Sequence, residues 1–129
     1  MNKGHKFSFI SRLESFSHAI NGLKILIREE HNARIHFIAA IIVVVLGFVL
    51  QINMFEWVSI IFSIGLVFAF ELINSALENL ADFVSEDKHT LIKKAKDMAA
   101  GAVLSASITA FVIGVIIFLP KLLKLVSCL

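Results

Sequence analysis

Apolar residues in this chain fall into three long blocks separated by short polar segments. The first, "IHFIAAIIVVVLGFVLQI", covers residues 35–52. The second opens at Trp57 and runs to Leu80, and the third, "MAAGAVLSASITAFVIGVIIFLP", runs from Met98 to Pro120. A bilayer-crossing helix needs about 20 mainly apolar residues, so the pattern predicts transmembrane helices over 35–52, 57–80 and 98–119. Trp57 falls where an interfacial aromatic belongs, and Pro120 is expected to close the third span. The Gly, Ala and Ser residues early in that span suit close approach of another helix. Ahead of the first block lies a different pattern. Phe9, Leu13, Phe16, Ile20, Leu23 and Ile27 recur at intervals of three or four, which makes one apolar stripe on a helix. With no soluble core to cover it, an amphipathic helix over 6–28 is expected to lie on the membrane surface.

Composition supports lipid as the solvent. The 129 residues are 58% hydrophobic, with one proline, and the mean hydropathy is +0.88. A soluble domain of this size cannot bury that much apolar surface. The expected fold class is therefore all-α integral membrane, a single unit over 1–129. No cleavable leader is expected, because the first thirty residues are polar or amphipathic. A net charge of +2 is too small to suggest a nucleic-acid partner. Cys128 is the sole cysteine, so no internal disulfide forms.

Lys3, Lys6, Arg12, Lys24, Arg28 and Arg34 precede the first span, and Lys88, Lys93, Lys94 and Lys96 lie between the second and third. The connection "NMFE" has no basic residue. The positive-inside rule then places the N-terminus and the 83–96 loop in the cytoplasm. Lys121 and Lys124 run against the trend but are outnumbered.

The second span ends in "VFAFELINSALENLADF", Val67 to Phe83. A charge at mid-bilayer costs about 2.5–3.5 kcal/mol on insertion scales, so intramembrane ionisable residues point to function. At 100° per residue, Asn74, Glu78 and Asp82 return to within about 60° of Glu71, so all four share one stripe. Three short helices cannot enclose such a polar stripe, which favours an oligomer. Glu71 and Glu78 lie about 10 Å apart along the axis, too far to share one small ion directly. The deeper Glu71 suits action on a lipid, and the shallower Glu78 suits ions and phosphates from the cytosol. Mg²⁺ takes one or two carboxylates plus phosphates and water, and Glu29 or Glu30 could supply a second one. In "KKAKDMAAG", Lys96 and Asp97 stand at the cytoplasmic boundary, where an ammonium can meet a phosphate. Lys93, Lys94 and Lys96 also suit plain membrane anchoring. No glycine-rich phosphate loop occurs. Two readings stand on the residues alone: a metal-assisted enzyme acting on a membrane lipid, or an oligomeric ion or proton pathway built on the Glu71/Glu78 stripe.

The stripe also matches a family signature. "ELINSALENLAD" completes the pattern E-x-x-N-[ST]-A-[IL]-E-x-x-x-D; "DKH" at 87–89, "AKD" at 95–97 and "GLKILIREEHNAR" supply further blocks. On these residues the chain resembles the prokaryotic diacylglycerol kinases, a family that includes undecaprenol kinases, over roughly Ser11 to Pro120. The resemblance implies a homotrimer in the bacterial inner (plasma) membrane, with active sites shared between subunits. It implies transfer of the γ-phosphoryl group of ATP, with Mg²⁺, to a lipid hydroxyl. By position, Glu71 looks like the general base, and Glu30 and Glu78 look like metal ligands at the nucleotide. Glu30 is preferred to Glu29 because it lies eight residues after Gly22. Asn74 and Asp82 look like polar groups beside the substrate. Asp87, His89, Lys96 and Asp97 look like nucleotide contacts. Where the family carries an N-terminal Arg this chain has Ser11, and the adjacent Arg12 is the candidate for that contact. "RIHFIAA", "AAGAVL" and "GVIIFLPKL" look more like the undecaprenol kinase branch than the diacylglycerol branch. The ion-pathway alternative has no use for "DKH" or "AKD".

Overall fold

The structure, a computed structural model, describes residues 9–84 and 89–127. It consists of four helices: α1 (Phe9–Glu29), α2 (His31–Val49), α3 (Met54–Val84) and α4 (Thr90–Ser127). The last three are long and apolar enough to cross a membrane.

Glu30 separates α1 from α2. Its backbone is extended (φ −93°, ψ 119°), which interrupts the helical conformation for one residue, although its N–H still donates to the Leu26 carbonyl at 2.9 Å and its carbonyl accepts from the Arg34 amide at 3.4 Å. The flanks of this break are sealed: Leu26 and Ala33 are fully buried, and α1 packs on both α2 and α3. Leu13, Phe16, Ile20 and Leu23 stay exposed, so these four positions of the apolar stripe on α1 are not covered by the described residues.

A tight turn joins α2 to α3. Gln51 takes a positive φ of 49°, unusual for a residue other than glycine. The Ile52 amide donates to the Gly47 carbonyl at 3.1 Å. Asn53 and Glu56 then cap α3 reciprocally: Glu56 N–H donates to Asn53 Oδ1 at 3.0 Å, and Asn53 N–H donates to Glu56 Oε2 at 2.7 Å. This capping box satisfies two amides that the first helical turn leaves open. Trp57 lies over Gly47, where an added Cβ would come within 2.8 Å of the indole. The turn therefore needs a residue without a side chain at position 47.

The main packing in the chain is between α3 and α4. Ile52, Ile60, Ile117 and Phe118 form a small buried cluster at the turn end, and Lys121 pairs with Glu56 there at 3.1 Å. Most large apolar side chains elsewhere are exposed, as expected of helices whose solvent is lipid.

The helices differ from the sequence expectation at their ends. α2 starts before position 35, α3 overruns 57–80 at both ends, and α4 begins at Thr90 instead of Met98. Polar residues at the starts of α2 and α4 sustain helix ahead of the apolar block. Pro120 does not close α4, which continues through it to Ser127. Proline removes one amide donor and crowds the preceding turn, but in lipid an uninterrupted backbone ladder is worth keeping and neighbouring helices tolerate the defect.

Candidate active site

The buried residues of α3 are Ile60, Ser63, Val67, Glu71 and Ser75. Spacings of three and four place them on one face, and that face becomes polar toward the C-terminal end of the helix. At about 1.5 Å per residue, α3 is roughly 46 Å long, more than the ~30 Å hydrocarbon core. The polar residues therefore run from inside the core outward.

Glu71 is the most enclosed of them, with 4% of its side chain exposed. His36, from α2, brings Nε2 to 3.2 Å from Glu71 Oε1. The approach is of ion-pair length but not aligned, and among the described residues that oxygen has no hydrogen-bond donor. Ser107 Oγ, from α4, lies 3.5 Å from the same imidazole nitrogen. One turn further along α3, the Ser75 hydroxyl donates to Glu30 Oε1 at 3.0 Å, which ties the break between α1 and α2 to the stripe. The Asn74 amide donates to Glu78 Oε1 at 3.1 Å. Asn74 Oδ1 is buried without a partner among the described residues. At the outer end, Lys96 donates to Asp82 at 2.8 Å, joining α4 to α3. Glu30 and Glu78 are close enough for their charges to act on Glu71.

A groove of about 630 Å³ opens between α2, α3 and α4. Ala40, Val67, Phe68 and Phe111 contribute to its apolar walls, and His36 and Ser107 lie at one end. On α4 the lining spans Ser107 to Leu122, about 22 Å of helix. Glu71 therefore stands beside the polar end of a long apolar groove.

Among the described residues, no three His, Cys, Asp or Glu side chains gather around one point. Mg²⁺ asks for less, because one or two carboxylates suffice when phosphate oxygens complete its shell. Glu30, Glu78 and the unpartnered Asn74 Oδ1 are hard oxygen donors, so their chemistry suits that ion.

Residues 17–118 match the family model described as prokaryotic diacylglycerol kinase. The chain belongs to the prokaryotic diacylglycerol kinase family. It is 39% identical to the undecaprenol kinase of Bacillus subtilis, over 94% of this chain and 98% of that protein. It is 37% identical to a diacylglycerol kinase of Synechocystis, over 88% of this chain and 65% of the relative. Identity to the diacylglycerol kinase of Escherichia coli K12 is 31%, covering 81% and 85%. The family is one of lipid kinases, and the three long apolar helices suit a multi-pass membrane enzyme.

Among the sequence candidates of this family member, Asn74 and Glu78 are hydrogen-bonded to each other and Glu30 reaches Ser75, one turn along α3 from Glu71, all within one chain. Asp82 and Lys96 form a neighbouring pair. His89 is exposed just before α4, and Asp97 is exposed on its second turn. Arg12 is exposed on α1, about 21 Å along the helix from the buried Leu26. Asp87 lies outside the described residues. Sequence reasoning missed His36, Ser75 and Ser107. Ser75 lies inside the family signature, but nothing local to His36 or Ser107 announces a pairing across helices.

Proposed function

We propose that the chain is an ATP- and Mg²⁺-dependent kinase that phosphorylates a membrane lipid alcohol, with undecaprenol preferred to diacylglycerol. The observation that carries this reading is the buried Glu71 at the polar end of an apolar groove, with Asn74 and the Ser75-bound Glu30 about one helical turn along α3 and Glu78 two turns away. The lipid tail lies along the groove and presents its hydroxyl at the end marked by His36 and Ser107. Glu71 accepts the hydroxyl proton as the lipid oxygen attacks the γ-phosphorus, and the bond from that phosphorus to the bridging oxygen breaks to release ADP. A lipid hydroxyl is too weak an acid to ionise unaided, so a base within hydrogen-bond reach speeds the step. Glu30 and Glu78 would hold Mg²⁺, which neutralises phosphate charge as the transfer proceeds. Lys96 would exchange Asp82 for a phosphate oxygen, aided by the adjacent Asp97, with His89, Asp87 and Arg12 contacting the nucleotide. The preference for undecaprenol rests on the residue blocks noted above and on the near full-length match to an undecaprenol kinase.

The assembly in this reading is a homotrimer in a bacterial inner membrane, with α1 on the cytoplasmic surface and the N-terminus inside. One experiment tests chemistry and orientation together. Radiolabelled ATP is given to inside-out and right-side-out vesicles containing undecaprenol, diacylglycerol or ceramide. Label is expected on undecaprenol most of all, and only where ATP reaches the cytoplasmic face. Labelling in sealed right-side-out vesicles would reverse the topology. No label on any lipid, together with ion flux in ATP-free liposomes, would favour an ion pathway.

A further inference from the structure

Glu71 is a carboxylate with almost no access to water, and two further carboxylates, Glu30 and Glu78, act on it. A buried charge without donors is strongly disfavoured, and a base that is not held in place is a poor base. The nitrogen atom brought up to Glu71 is His36 Nε2 at 3.2 Å. It comes from a different helix, and the same imidazole lines the apolar groove. Ser107 Oγ, from the third helix, stands 3.5 Å from that nitrogen. One ring nitrogen thus occupies the point where α2, α3, α4, the groove and the carboxylate meet.

Building on the kinase reading above, we propose that His36 is a positioning residue that orients the Glu71 carboxylate toward a hydroxyl arriving along the groove. A carboxylate oxygen can only accept, so the nitrogen that faces it carries the proton and the tautomer is Nε2–H. With Oε1 held by that N–H, the other oxygen of Glu71 is turned to the lipid hydroxyl. The loose alignment in the absence of substrate fits this role, because hydrogen bonds at reacting groups often tighten only when substrate arrives. Ser107 offers Nε2–H a second acceptor and limits how far the ring can swing from the groove wall.

Four variants test the inference: His36→Leu, His36→Gln and Glu71→Gln, purified in detergent and assayed for lipid phosphorylation, and Glu71→Ala for spectroscopy. His36→Leu should lower kcat by about tenfold or more, within the range that small misplacement of a reacting group produces, while lipid KM and MgATP affinity stay within about twofold. His36→Gln places an amide N–H near the position of Nε2 and should recover most of the lost kcat. In ¹⁵N-histidine spectra, the Nε2 signal of His36 should move when Glu71 is replaced by alanine. Wild-type kcat in His36→Leu, equal impairment in His36→Gln, a parallel loss of MgATP affinity, or an unmoved ¹⁵N signal would each overturn the inference. If both His36 variants also melt at lower temperature with activity lost in proportion, the residue is structural and the inference fails. Glu71→Gln separates the two levels. Full activity in that variant removes the kinase reading of Glu71 itself, whereas an inactive Glu71→Gln beside a fully active His36→Leu removes only the role given to His36.

Discussion

Position 71 concentrates the conflict between stability and chemistry in this molecule. A leucine there would pack against the same neighbours without the cost of a buried carboxylate. On the proposed reading the cost is tolerated because a proton acceptor is useful only next to the groove that would deliver the hydroxyl. Glu78 sits two turns away, half-buried and hydrogen-bonded to Asn74, in surroundings suited to holding an ion. Their amide variants should fail differently. Glu71→Gln cannot take a proton and should lose about a hundredfold or more in single-turnover rate, the scale of general-base removal, while still binding MgATP. Glu78→Gln should bind MgATP more weakly and regain part of its rate at high Mg²⁺. Nucleotide affinity and single-turnover rate across a Mg²⁺ titration decide the matter. Loss of MgATP binding in Glu71→Gln, or one shared Mg²⁺ response, would show that the division of labour is wrong.

Among the elements, the α2–α3 turn is the most closely specified. A positive φ at Gln51, the Asn53–Glu56 capping box and the indole of Trp57 over Gly47 hold it from three directions. Gly47→Ala puts a Cβ against a rigid ring and should destabilise the fold by about 1–3 kcal/mol, the usual cost of overpacking. Gly65→Ala is the control, since nothing lies within 4 Å of the added Cβ and alanine is the better helix former. Thermal unfolding in detergent should show a lower Tm for the first and an unchanged or higher one for the second. Equal shifts would mean that the Gly47–Trp57 contact does not control the turn. The capping box was open to inspection in "NMFE", yet that connection drew attention only for its lack of basic residues.

At the scale of the molecule, the chain leaves most of its apolar surface uncovered, and one copy does not surround its own polar stripe. Glu30 meets Ser75, one turn from Glu71 on the same chain, and Glu78 lies on the same helix, so in the proposed trimer a shared site would draw other groups from a neighbour. Arg12, far along α1 from its buried end, is the best placed. Oligomers mixed from Arg12→Ala and Glu71→Gln subunits should regain measurable activity, because some sites then combine an intact Glu71 with a neighbour's Arg12. Mixtures of Glu30→Gln and Glu71→Gln should stay inactive, since no intact site can form. Activity in the second mixture, or none in the first, would contradict this arrangement. Much of the molecule was legible in one dimension. Apolar blocks longer than a soluble helix needs can only be spans. Polar side chains at three-, four- and seven-residue spacing on such a span can only share a face. The signature around Glu71 names a family because residue types and their spacing match together. What the sequence could not determine was which groups from other helices meet that face. His36 lies 35 residues from Glu71, and Ser107 lies on α4. Their meeting depends on how α2 and α4 pack against α3, through contacts between helices that leave no periodic trace. The passage of α4 through Pro120 has the same origin. Local backbone chemistry argues for a break there, while the lack of water to satisfy freed carbonyls favours continuing the helix, and only the packed structure shows which effect prevails.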